Sequence, residues 1–200
     1  MLSPESHQPD PDPSGPQLAE RPPLTRTVAL VGLMGAGKTA VGRRLARVLG
    51  APFEDTDALI VAAAAMTIPE IFGRYGEAEF RNLERRVIAR VLDGSPQVLA
   101  LGGGAFMDPA TRAKLKERAL TIWLRAQLDT LVARTARKRG TRPLLAEGDP
   151  REILGRLMEQ RHPVYAEADH VVDTGDQPAE AVVERIVALL RGVGVWEGAP

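Results

Sequence analysis

The chain has 200 residues, 44% of them hydrophobic, with 26 lysines and arginines set against 26 aspartates and glutamates and no cysteine. That length suits one domain with a real core, the balanced charge gives no field that would draw nucleic acid or an anionic membrane, and the missing thiols rule out disulfides and thiolate metal sites. No uncharged apolar run approaches the roughly 20 residues of a membrane helix, and the N-terminal stretch lacks the basic and apolar regions of a secretion signal, so a soluble cytoplasmic protein is expected.

The opening "MLSPESHQPDPDPSGPQLAERPP" is rich in proline, aspartate and serine and poor in large apolar residues. It cannot offset its own ordering entropy, and residues 1–25 are expected to form a disordered tail. From there the chain alternates short apolar runs with helical patterns over a folded domain of residues 26–193. "TVALVG" reads as a strand, and the spacing predicts a helix over 38–49 with Val41, Leu45, Val48 and Leu49 on one face. "PFEDT" is the second strand, followed by an arginine- and glutamate-rich helix over 77–92. "QVLALG" is the third strand, then a helix over 109–117, the strand "ALTIWLR", helices over 127–137 and 150–168, the strand "HVVDT" and a helix over 178–190. Residues 194–200 are expected to be a flexible C-terminus. Strands alternating with helices imply βαβ units and a mostly parallel sheet covered on both faces, which the near-continuous apolar runs also suit.

Three stretches carry chemistry. In "GLMGAGKT", Gly32, Gly37, Lys38 and Thr39 satisfy G-x-x-x-x-G-K-[ST] between a strand and a helix. Bare backbone N–H groups there cradle phosphate oxygens, and the helix N-terminus adds its positive end. Gly35, Ala36, Gly37, Lys38, Thr39 and Ala40 are therefore the candidate nucleotide contacts, with Lys38 on the β- and γ-phosphates and the Thr39 hydroxyl on Mg²⁺. A glycine-rich turn holding no phosphate is the plainer alternative. "EDTD" places Asp55 and Asp57 two apart at a strand end, where an extended chain would turn both carboxylates to one face, one for a metal's water shell and one for an acceptor hydroxyl. A helix cap would use the same residues.

"LGGGAF" then puts Gly102, Gly103 and Gly104 at the carboxyl end of a strand, inviting close approach by a ligand. Arginines in "EAEFRNLE" (Arg81), "RKRGTRPLL" (Arg142) and "EQRHPVY" (Arg161) stand in contexts suited to binding carboxylate or phosphate. Glu84, three residues after Arg81, is placed to hold its guanidinium, as an ordinary helix-face pair also would.

Together "GLMGAGKT", "EDTD", "IPEIFGRYGEAEFRNLE", "LALGGGA", "RPLL" and "RHPVY" resemble shikimate kinase over residues 28–190. The resemblance implies an α/β fold of the nucleoside-monophosphate-kinase-like P-loop type, with a five-stranded parallel sheet flanked by helices, a lid and a substrate-binding helical region. It implies transfer of the γ-phosphate of ATP to the 3-hydroxyl of shikimate, on the route to chorismate and the aromatic amino acids, by a Mg²⁺-dependent monomer with small-molecule partners only. Residue by residue, it gives Asp57 the acceptor hydroxyls, Asp55 the Mg²⁺ through water, and Arg81 and Arg161 the substrate carboxylate. The backbone at Gly102, Gly103 and Gly104 contacts substrate, Arg142 closes over the phosphates, Arg134 packs on adenine and Gln177 edges the base. One departure is "IVAAAAMTIPEIF", where Val61 and Ala65 stand at positions often held by glutamate and glycine in the family. A gluconate-type kinase and a catalytically silent nucleotide-binding regulator remain the alternatives.

Overall fold

Apolar strands separated by helices satisfy their backbone and bury their side chains together only if the strands pair side by side under helical cover. The computed structural model describes residues 24–136 and 148–198. These form β1 (Thr27–Val31), α1 (Lys38–Leu49), β2 (Phe53–Asp55), α2 (Thr56–Ala64), α3 (Ile68–Leu92), β3 (Val98–Ala100), a 3₁₀ turn (Ala105–Met107), α4 (Pro109–Arg118), β4 (Ala119–Arg125), α5 (Leu128–Ala136), α6 (Pro150–Tyr165), β5 (His170–Asp173) and α7 (Ala179–Gly192). The sheet order is β2-β3-β1-β4-β5 with every pair parallel, so the expected five-stranded parallel sheet flanked by helices is the fold. All five residues of β1 are buried, and no single helix among the described residues is long and apolar enough to cross a membrane.

The register sets the site. Leu30 of β1 pairs with Ala100 of β3, and Asp55 of β2 pairs with the same Ala100. Three adjacent strands therefore end at one level, and the loops leaving them open into one crevice where the chain order reverses across the sheet.

Helix α1 keeps its expected bounds, but Val48 is exposed while Val41, Gly42, Leu45, Ala46 and Leu49 are buried. At 100° per residue the buried stripe centres near Leu49, and Val48 falls just outside its rim beside Val41. Two segments escape the sequence reading. Helix α2 grows directly from "EDTD", with the Asp55 carboxylate capping it through the Asp57 N–H. Helix α3 starts nine residues earlier than its arginine-rich half, at a capping box formed by Thr67 and Glu70, and is interrupted at Gly76 (φ 80°, ψ 173°). That interruption is why the periodic pattern becomes clear only at residue 77. Ile60, Ile71 and Phe80 form a small apolar cluster of their own beneath α2 and α3, separate from the main core.

The described structure packs slightly past the expected domain borders at residues 26 and 193. Leu24 is buried, and the Thr25 N–H donates to the Val195 carbonyl at 3.1 Å. Val195 and Trp196 are buried as well, so this part of the expected flexible C-terminus packs because it carries apolar surface worth covering. Residues 1–23 lie outside the described residues.

Ala65 ends α2 in the left-handed region at φ 50°, a conformation that a Cβ makes costly by about 1–2 kcal/mol. Part of that gain is returned as glycine's larger unfolded-state entropy. Ala65→Gly should therefore raise stability by about 0.5–1 kcal/mol, read as a higher urea midpoint at unchanged slope. A lower midpoint would contradict the strain.

Candidate active site

The crevice at the strand ends is a cleft of about 350 Å³. One half is built by the loop between β1 and α1. Gly32 takes φ 138°, and a Cβ there would sit 2.6 Å from the Leu124 carbonyl, so the loop closes tightly on β4 only with glycine. Gly37 is the N-cap of α1 at φ 98°, with no side chain to satisfy the first-turn N–H groups and no acidic residue in that turn. The positive end of α1 thus faces the cleft and is offered to an anion. The Lys38 ammonium donates to the carbonyls of Gly32 and Leu33 at 2.7 and 3.1 Å, curled over the loop whose anion it would meet.

Gly35, Gly37, Lys38, Thr39 and Ala40 line the cleft. Ala36 does not: it is buried behind the loop, its N–H donating to Leu33 and its carbonyl accepting from the Thr174 hydroxyl at 3.1 Å. Arg134 lines the same half and bridges two loops, donating to the Gly35 carbonyl at 3.4 Å and the Gly175 carbonyl at 2.5 Å. Gln177 is not brought to the cleft wall, and its amide donates to the Asp173 carbonyl at 2.8 Å. Arg142 lies outside the described residues.

Asp55 joins the two halves. Its Oδ2 accepts from the Thr39 hydroxyl at 2.7 Å while Oδ1 accepts from the Asp57 N–H at 3.1 Å. Asp55 ends β2, but Asp57 stands in the first turn of α2, so the two carboxylates are set by a helix start and not by strand alternation. Both reach the cleft all the same, and the cap and the site prove to be one arrangement. The Thr39 and Asp55 oxygens are a donor pair suited to a hard divalent cation that keeps water and phosphate for the rest of its shell, which fits Mg²⁺.

The other half centres on Gly102, Gly103 and Gly104, each set against a different element. The Gly102 N–H donates to the buried Thr56 hydroxyl at 2.8 Å, fixing the start of α2 to the end of β3. The Gly103 carbonyl accepts from Arg161 at 2.9 Å and from Tyr165. Gly104 lies under Arg81, whose guanidinium would be 2.5 Å from any Cβ there. Arg81 is itself held between Glu77 at 3.2 Å and Glu84 at 2.7 Å. Burial pushes the Glu84 carboxyl above its usual range, with Arg81 pulling it back down. Ile68, Phe72 and Phe80, none of them singled out by sequence, give this half an apolar wall, with Phe72 and Phe80 ring centroids 4.6 Å apart. Their signal was the apolar spacing of "IPEIF" and "EFRNL", which core packing explains equally well.

The positive end of α1 thus shares one cleft with Asp57, Arg81, Arg161 and an apolar wall. A family model described as shikimate kinase matches residues 34–191. The shikimate kinase of Paramagnetospirillum magneticum is 57% identical over 164 residues, covering 82% of this chain and 84% of its own. That of Mesorhizobium japonicum is 50% identical over 174 residues, covering 86% and 85%. Among solved structures, a shikimate kinase from Acinetobacter baumannii in complex with shikimate superposes with a TM-score of 0.81 at 37% identity, covering 84% of this chain and 94% of that one.

The three glycines predict a graded response to alanine. A Cβ at Gly102 would meet Asp57 Oδ1 at 2.7 Å and Glu84 Oε1 at 2.8 Å, and one at Gly104 the Arg81 guanidinium, whereas one at Gly103 meets nothing nearer than 3.6 Å. Gly102→Ala and Gly104→Ala should each cost about 1–3 kcal/mol or displace those side chains, and Gly103→Ala should leave thermal stability within about a degree or two of the parent. Equal melting losses at all three positions would contradict the packing described.

Proposed function

The chain belongs to the shikimate kinase family, and from that premise we propose that its cleft passes the γ-phosphate of ATP to the 3-hydroxyl of shikimate, giving 3-phosphoshikimate and ADP. The observation that carries this reading is the meeting of Asp57, Arg81 and Arg161 around Gly102–Gly104, directly across from the phosphate loop. A nucleotide site alone would not need that second half.

The roles follow from charge and reach. The α1 N-terminus and the loop N–H groups hold the phosphates, and Lys38, released from the carbonyls of Gly32 and Leu33, neutralises the β- and γ-oxygens. Thr39 and Asp55 would hold Mg²⁺, Asp55 through water, and the ion when bound supplies charge neutralisation at the phosphate oxygens. Arg81 and Arg161 take the acceptor's carboxylate with planar forks, while Ile68, Phe72 and Phe80 cover its ring. That leaves a ring hydroxyl at Asp57. The hydroxyl oxygen bonds to the γ-phosphorus, the bond from that phosphorus to the bridging oxygen of ADP breaks, and Asp57 orients the hydroxyl and accepts its proton. Positioning supplies most of the acceleration in such a transfer.

Arg134, which lines the nucleotide half, packs on the base in this reading, and the resemblance of "RPLL" gives Arg142 the role of closing over the phosphates. The supporting case for Gln177 is only its position in the late loop. The enzyme would act as a cytoplasmic monomer in the synthesis of chorismate and the aromatic amino acids.

ADP formation from ATP should depend on added shikimate and not on gluconate, which separates this reading from both alternatives. Lys38→Ala and Asp57→Asn should each lower kcat by about 100-fold or more, and Asp57→Asn should leave ADP affinity within about twofold. Shikimate-independent ADP formation in the parent, or an Asp57→Asn enzyme within about tenfold of it, would overturn the proposal.

A further inference from the structure

Arg161 and Tyr165 lie one turn apart on the same face of α6 and converge on one atom. Both donate to the carbonyl oxygen of Gly103, Arg161 through Nη1 at 2.9 Å and Tyr165 through its hydroxyl. Tyr165 does not line the cleft: it is fully buried, with Phe106, Trp123 and His162 around its ring. A phenylalanine would bury as much apolar surface there. The hydroxyl's contribution is its hydrogen bond, and a buried hydroxyl needs one. Burial, opposed by the Arg161 guanidinium beside it, pushes the Tyr165 phenol up to about 12, so it stays a donor at any working pH.

Arg161 has five N–H groups, and Gly103 engages one nitrogen. The rest of the fork stays open to an arriving carboxylate while the Gly103 carbonyl holds that one nitrogen. With Arg161 as its sole partner, the carbonyl would move with that side chain, and the fork would have no fixed rest. Tyr165 gives the carbonyl a second partner and ties the Gly-rich turn to α6.

We propose that Tyr165 is a positioning residue for acceptor binding: its buried hydroxyl pins the Gly103 carbonyl and through it aims the Arg161 guanidinium at the acceptor's carboxylate. This rests on the shikimate reading of the cleft and extends it to a residue one layer behind the wall.

The test is Tyr165→Phe assayed by steady-state kinetics, alone and combined with Arg161→Lys. Losing one of two partners on a buried carbonyl should raise KM for shikimate about tenfold, with kcat and KM for ATP within about twofold of the parent. In the Arg161→Lys background, where no planar fork remains to be aimed, the same change should raise KM by less than about threefold. A hydroxyl that only stabilises the fold would lower Tm without this split or this non-additivity. A parental shikimate KM in an active Tyr165→Phe enzyme, or effects that simply multiply in the double variant, overturns this inference alone. Absence of shikimate-dependent turnover in the parent overturns the functional reading and this inference with it. Should Tyr165→Phe fail to bind ADP, and so be judged unfolded, the parent labelled with 3-fluorotyrosine replaces it. The chain has two tyrosines, and Tyr75→Phe assigns the other signal. The Tyr165 resonance should shift when shikimate is added to the ADP complex, and a resonance indifferent to shikimate overturns the proposal.

Discussion

The missing side chain at Gly102 is what lets the acceptor half of the cleft exist. Two carboxylates, from Asp57 and Glu84, come within 2.8 Å of where its Cβ would be, and the Arg81 guanidinium occupies the same kind of space over Gly104. Three helices thus reach one stretch of backbone: α2 through Thr56 and Asp57, α3 through Arg81 and Glu84, and α6 through Arg161 and Tyr165. Because β1, β2 and β3 end level, that backbone lies directly across from the phosphate loop. The sheet register delivers the two halves to each other, and the absent side chains let them close.

Charge in the cleft is arranged in alternation. Glu77, Arg81 and Glu84 stand in series on α3, and Asp57 and Arg161 approach the same buried carboxyl of Glu84. Burying an ion pair rarely adds net stability, so the Arg81–Glu84 pair is better understood as fixing a direction than as holding the fold. The fold is held elsewhere, by the core around β1 and β4 that Ile88 and Leu92 of α3 and Tyr165 of α6 also enter, while α2 and the first half of α3 share the separate cluster of Ile60, Ile71 and Phe80.

Much of this was legible in the sequence, for identifiable reasons. The phosphate loop is a local motif whose backbone geometry follows from its glycines, and the strands are apolar runs that few other structures accommodate. The helix after the loop was found to the residue because Gly37 and Gly50 punctuate it. Helix α2 was not, since "TDALIVAAA" has no polar face to give it a period, and the first half of α3 was hidden by the break at Gly76. Of the site, the charged residues were readable from motif context. Thr56 and Tyr165 sit inside quoted motifs, yet their roles depend on contacts 46 and 62 residues away along the chain, which no local pattern encodes. Gln177 and Ala36 show the converse: position in a motif placed them near a nucleotide, while their hydrogen bonds turn inward to the protein.

The central claim is that Arg81 and Arg161 recognise an acid group on the acceptor, and a cycle between residue and ligand group measures it directly. Replacing either arginine with alanine, and assaying shikimate against an analogue lacking the carboxylate, isolates the interaction from any general damage to the site. Loss of a desolvated charge-assisted partner costs about 2–5 kcal/mol, so kcat/KM for shikimate should fall by about 30-fold or more, with a far smaller fall for the analogue and ATP affinity near that of the parent. Equal losses for the acid and its uncharged analogue would make these arginines scaffold and contradict the account.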